Sequence, residues 1–153
     1  MTRRYVEVDA GQVPARCRQA GENAVTFAAT DLGIPRPAIR WFADSPTTAA
    51  EAFAGLMNAM TPPPPAEAFD DERAIVGKSH GDGCVWIRAD VDPRRTAEIA
   101  LHETLHEWQA AQIGPAHGAH EYEGRELQAR TYSADLAEVA RAIANSTKGE
   151  SNA

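Results

Sequence analysis

His102, Glu103 and His106 form the pattern HExxH within a segment whose apolar residues recur at helical spacing. Residues four apart are neighbours on one helix face, so imidazoles at 102 and 106 can reach a single Zn²⁺ at about 2.0–2.1 Å. Glu103 projects about 100° further around the helix, which keeps it out of the ligand pair and beside the position left for water. The chemistry this implies is hydrolysis, with a metal to activate water and a carboxylate to take its proton. Leu101, Leu105 and Trp108 set an apolar stripe beside the histidines. The imidazoles are therefore expected to be partly buried and to need partners.

A catalytic zinc takes three protein ligands and keeps a fourth position open. A metzincin pattern would put histidine at 112, where this chain has Gln112. Candidates for the third ligand are Glu126, Glu123 and the loop histidines His117 and His120. Glu126 stands on a second helical segment that a short loop can fold back onto the first, and Glu123 is one turn earlier on nearly the same face. An i,i+4 ion pair with Arg130 is the competing role for Glu126. An oxyanion needs a further donor; His117, His120 and Tyr122, in or beside the intervening loop, are placed for that.

The run His102-Glu103-Thr104-Leu105-His106, followed by Glu126-Leu127-Gln128-Ala129-Arg130-Thr131-Tyr132-Ser133, resembles the zincin-like peptidases of the ImmA/IrrE kind. In that family HExxH precedes a helix reading E-x-x-A-N-x-F-A. Glu126, Ala129 and Tyr132 match its glutamate, alanine and aromatic positions. Ser133 replaces a small alanine, Arg130 the asparagine, and Leu105 the usual glycine before the second histidine. The likeness covers residues 74–137. It implies a minimal zincin-like architecture and one zinc per chain, held by His102, His106 and Glu126, with Glu103 as general base. It also implies a protein substrate, often a transcriptional repressor, in phages or other mobile elements. The leading expectation is a zinc-dependent metallopeptidase, with Glu103, His120 and Tyr122 as catalytic residues. A non-catalytic, zinc-stabilised binding module closed by a fourth ligand such as His117 or His120 is the alternative. A metal-free interaction protein using its acidic surface and Pro62–Pro65 is a third reading.

The rest of the chain must supply elements that hold these two helical segments. Its 153 residues suit one domain. Hydrophobic residues make up 43%, but many are alanine, so the core must come largely from closely packed helices. A formal net charge of -7 argues against a general nucleic-acid binder. No apolar run approaches the roughly 18 residues of a membrane span. The opening MTRRYVEVDAGQ lacks the apolar stretch of a secretory signal. Cys17 and Cys84 have neither ligand nor redox spacing, which fits free thiols in a reducing, cytoplasmic setting.

Tyr5–Val8 reads as a short strand. Gly11–Leu32 reads as an amphipathic helix with Val13, Cys17, Ala20, Ala24 and Phe27 inward, ended by Gly33 and Pro35. Ala38–Ala43 suits a strand. Ser45-Pro46 would cap a helix marked by Ala49, Phe53, Leu56, Met57 and Met60, and Pro62–Pro65 form a stiff connector. Arg73–Ser79 and Cys84–Val91 flank His80-Gly81-Asp82-Gly83 as a hairpin, with Val85, Ile87, Ala89 and Val91 facing the core. If Cys84–Val91 is a sheet edge, an extended peptide could add to it, read by Trp86 and Arg88. Asp92 and Pro93 open the metal helix, and Gly114-Pro115 close it. The loop Ala116–His120 leads to a last helix over Glu121–Ile143, with Leu136, Val139, Ala140 and Ile143 buried. The expected fold is α+β: one domain over residues 1–145, with parts 1–61 and 66–145 joined by the prolines and a disordered tail at 146–153. Its small antiparallel sheet includes the hairpin and packs on helices.

Overall fold

The helix that carries HExxH has ends dictated by its own residues. The Asp92 side chain accepts a hydrogen bond from the Arg95 N–H at 2.9 Å, Pro93 occupies the first turn, and the Gly114 N–H closes the last turn on the Ala110 carbonyl. The computed structural model describes residues 4–45, 77–79, 81–89, 91–114 and 116–147. The elements in order are β1 (Arg4–Val8), a 3₁₀ turn (Ala10–Gln12), α1 (Ala15–Leu32), β2 (Ala38–Ser45), β3 (Gly77–Ser79), β4 (Cys84–Arg88), the HExxH-bearing helix α2 (Pro93–Ile113), α3 (Ala119–Asp135) and α4 (Ala137–Ser146). The fold is α+β. The expected helix bearing Ala49, Phe53, Leu56, Met57 and Met60 lies outside the described residues. So do its Pro46 start, Pro62–Pro65, the hairpin residues 73–76 and the tail from 148.

The sheet runs β1-β2-β4-β3. β1 pairs antiparallel with β2, and β3 with β4, where Ser79 lies opposite Val85, so the hairpin forms as expected. β2 and β4, however, are parallel, with Ile39 opposite Val85 and Trp41 opposite Ile87. The sheet is therefore mixed rather than antiparallel. Parallel neighbours need a crossover of about a dozen residues or more, and the chain between Ser45 and Cys84 is long enough to supply one. This pairing also places β4 inside the sheet, between β2 and β3, so the condition on which peptide addition to β4 depended is not met. Trp86 is 9% exposed, and the Arg40 guanidinium lies 4.6 Å from its ring centroid. The same guanidinium donates to both carboxylate oxygens of Glu7, at 2.8 and 2.9 Å. Among the described residues, β3 is the outer strand beside β4.

Alanine decides how the helices meet. Ala20, Ala24 and Ala28 of α1 join Ala97, Ala100 and Leu101 of α2 in one buried cluster, with Trp41, Val85 and Ile87 from the sheet. Side chains this small let two helices approach closely, and dispersion across the short gap replaces bulk. At Gly21 a Cβ would lie 2.7 Å from the Trp41 ring, so glycine there lets the indole wedge between sheet and helix. The stripe is narrower than expected: Phe27 is 37% exposed. α1 also starts later than Gly11, because residues 10–12 form the 3₁₀ turn and Pro14 is the N-cap.

The expected single last helix is two. Leu136, with φ -101° and ψ 21°, separates α3 from α4. The break lets Leu136, Ala140 and Ile143 reach the core cluster. Order continues past residue 145, since Thr147 is buried and donates to the Ala144 carbonyl at 2.7 Å. The disordered tail expected from 146 therefore begins too early. Among the described residues, no helix is long and apolar enough to cross a membrane.

Candidate metal centre

Two helices bring three donor atoms together. His102 Nε2 lies 2.6 Å from Glu126 Oε1, and His106 Nε2 lies 3.1 Å from the same oxygen. The imidazoles, one turn apart on α2, have ring centroids 4.9 Å apart at 74°. The loop after Gly114 returns the chain so that α3 packs on α2 and presents Glu126 between them. Ligand atoms of His102, His106 and Glu126 all fall within 4.8 Å of one another.

The electrostatics of this group suit a cation. Burial alone would push the Glu126 carboxyl up, but hydrogen bonds from His102 and His106 outweigh it and hold the group well below the usual carboxylate range. Burial opposes charge on His106, yet Glu126 and Glu103 overcome it and raise its pKa. A partly buried anion facing two imidazole nitrogens is a negative field that a metal ion can occupy in place of protons. Two imidazoles and a carboxylate are a standard zinc donor set, and they fit that ion here.

Glu103 is only 7% exposed, and its Oε2 lies 4.0 Å from His102 Nε2. β3 runs directly against it. A Cβ on Gly77 would sit 2.9 Å from Glu103 Oε2 and 2.5 Å from the Ile99 methyl, so only glycine permits this approach. Glu107, one turn along α2, holds the strand in place: its carboxylate accepts from the Ser79 hydroxyl, the Gly81 N–H at 2.7 Å and the Gly83 N–H at 2.6 Å. Sequence reasoning missed Glu107, because a carboxylate beside HExxH reads as a solvated charge. The available signal was the Gly-Asp-Gly turn, whose backbone donors need an acceptor.

Gln109 was also missed. It is 1% exposed, and its Oε1 lies 2.8 Å from His106 Nδ1. Its amide nitrogen donates to the Arg125 carbonyl at 3.0 Å and to Gln128 Oε1 at 2.8 Å. The signal was its i,i+3 spacing from a candidate ligand.

Of the sequence candidates, His102, His106 and Glu126 come together, with Glu103 beside them. Tyr122 joins them: it is partly buried one turn before Glu126. Burial, then the charges of Glu126 and Glu103, raise its pKa, so its hydroxyl keeps its proton. His117, His120 and Glu123 are exposed and stand outside the three-residue group. No family model matches this chain, and neither does any curated protein or solved structure.

Proposed function

We propose that this protein is a zinc-dependent metallopeptidase of the zincin-like, ImmA/IrrE kind. The observation that carries the reading is the convergence of His102 Nε2 and His106 Nε2 on one oxygen of Glu126, with the buried Glu103 carboxylate 4.0 Å from His102 Nε2. Three ligands are the number a catalytic zinc uses, and the group has three members among the described residues. Zinc, when bound, supplies Lewis acidity that lowers the pKa of water towards about 7 and polarises a carbonyl. Glu103 takes the proton of the attacking water and returns it to the leaving amine. The Tyr122 hydroxyl, kept protonated, donates to the oxyanion. It is favoured over the exposed His120 for this role. β3 offers extended backbone beside Glu103 on which a peptide can lie. The substrate is a protein, with a transcriptional repressor as the family precedent. The two free thiols, Cys17 and Cys84, suit the cytoplasm.

The test is metal content of protein expressed without added zinc, together with peptide hydrolysis by Glu103→Gln. One zinc per chain is expected in the native protein and in Glu103→Gln, with activity lost by about 10²–10⁴-fold in the variant. His106→Ala and Glu126→Ala should lose the metal. Full activity in a zinc-loaded Glu103→Gln protein would overturn the mechanism. A zinc centre with no open coordination position would favour the non-catalytic binding module instead.

A further inference from the structure

We infer that Gln109 is a positioning residue that fixes the tautomer of His106, reserving Nε2 for the metal, and that it keys the metal helix to α3. The argument starts from what each atom can do. The Arg125 carbonyl can only accept, so the Gln109 atom 3.0 Å from it must be the amide nitrogen. The second proton on that nitrogen goes to Gln128 Oε1 at 2.8 Å. The orientation of the Gln109 amide is thereby fixed, and its oxygen faces His106 Nδ1 at 2.8 Å. An amide oxygen only accepts. His106 Nδ1 therefore carries a proton, which leaves Nε2, the nitrogen that faces Glu126, as the ring nitrogen available to a metal ion.

The burial of Gln109 gives this constraint its strength. At 1% exposure no water competes for its amide. Turning the amide over would set its oxygen against the Arg125 carbonyl and Gln128 Oε1, leaving the carbonyl without its donor. A histidine ligand usually has its second nitrogen held by a carboxylate, a backbone carbonyl or water. Here a neutral side-chain amide does that, and its other end is anchored on the helix that supplies the third ligand. The position of His106 and the seating of α3 are therefore coupled through one residue. The inference rests on the proposed metal site for its consequence, although the proton on Nδ1 can be read without metal.

Long-range ¹H–¹⁵N correlation spectra of the histidine rings test it. In metal-free protein the native ring should carry a proton on Nδ1, and added zinc should take Nε2. An unprotonated Nδ1 would overturn the inference without any variant and would leave the peptidase reading untouched. Gln109→Leu removes the acceptor and should shift the ring away from Nδ1–H and weaken zinc binding by about 10–100-fold, read by competition with a chelator. Gln109→Glu keeps an oxygen for Nδ1–H and should retain the proton on Nδ1, while losing the amide bonds to Arg125 and Gln128 that seat α3, with zinc affinity between the native and Gln109→Leu values. If Gln109→Leu does not fold, the native spectrum and the Gln109→Glu comparison decide the question. A Gln109→Leu protein with the native tautomer and native zinc affinity would overturn it. Absence of zinc binding by the native protein, with the Nδ1–H pattern present, would sink the metal reading and leave the tautomer assignment standing.

Discussion

The HExxH-bearing helix α2 meets its two helical neighbours in opposite ways. Towards α1 it presents Ala97, Ala100 and Leu101 to a seam lined by Ala20, Ala24 and Ala28. Towards α3 it presents His102, His106 and Gln109, and α3 itself buries only Ala129 fully among its described side chains. The first seam is dry and non-directional, and it gains from close approach. The second is built of hydrogen bonds whose net contributions are about 0.5–1.5 kcal/mol each, rising to about 1.5–3 where a charge takes part. One helix therefore separates two tasks. Its alanine face holds the fold, and its polar face holds the candidate ligands His102 and His106, whose partner helix has little apolar surface to fix it.

Leu101→Ala should have the largest effect on stability, about 2–5 kcal/mol, because it empties volume in the tight seam. Chemical denaturation measures the loss, and under folding conditions the variant should still bind one zinc. His106→Ala should do the reverse, losing zinc with a much smaller change in the stability of metal-free protein. If Leu101→Ala abolished zinc binding in the folded protein, the two faces would not be separable.

Zinc removal sharpens the contrast further. Without metal, α3 amides should exchange with solvent faster than those of α1, since α3 can open without disrupting the alanine seam. Zinc at a hundredfold above its Kd adds about 2.7 kcal/mol against any opening that breaks the site, slowing α3 exchange by about a hundredfold. Equal protection of α1 and α3 in metal-free protein would show that the polar seam is as firm as the dry one.

What could be read in the sequence follows the same division. The seam and the caps are local: Asp92 and Pro93 start α2, Gly33 ends α1, and alanines at helical spacing mark the face they share. The HExxH pair is also local, because four residues of helix place both imidazoles. Glu126 was legible only as one of several candidates, since its selection depends on how α3 seats on α2. Gln109 and Glu107 were invisible as functional residues: a glutamine and a glutamate on a helix look solvated until another element covers them. The parallel pairing of β2 with β4 was beyond reach because no local pattern encodes which distant strand a strand will join. The break at Leu136 was hidden too, for the helical spacing continues through it.

Glu107→Gln probes how the sheet is tied to the polar end of α2. The carboxylate accepts from Ser79 and from two glycine N–H groups. An amide in its place sets an N–H₂ against at least one of these donors, at a cost of about 1–3 kcal/mol. The expected readout is a lower denaturation midpoint with the zinc site intact, and with β3 amides exchanging faster. Unchanged exchange in β3 would mean that strand pairing with β4 alone holds it against Glu103.

The smallest effect is expected where α3 touches α1 directly. The Tyr132 hydroxyl donates to Asp31 Oδ2 at 2.9 Å, so the sparse polar holding of α3 extends to the end of the alanine-rich helix. Burial, then the Asp31 partnership, raises the Tyr132 pKa above its ordinary value of 10.0. A raised value means that the folded protein holds this proton more tightly than the unfolded chain does. The contribution is therefore complete below about pH 10 and declines as pH climbs towards the folded value. Tyr132→Phe should be less stable than native protein by about 0.5–1 kcal/mol at pH 7–9, because the bond is exposed to solvent. Paired denaturation curves should show that difference shrinking above pH 10, since only the native protein has the phenol to lose. A difference that stays constant through pH 12 would assign the stabilisation to ring packing, and the contact between α3 and α1 would then belong with the apolar seam rather than the polar one.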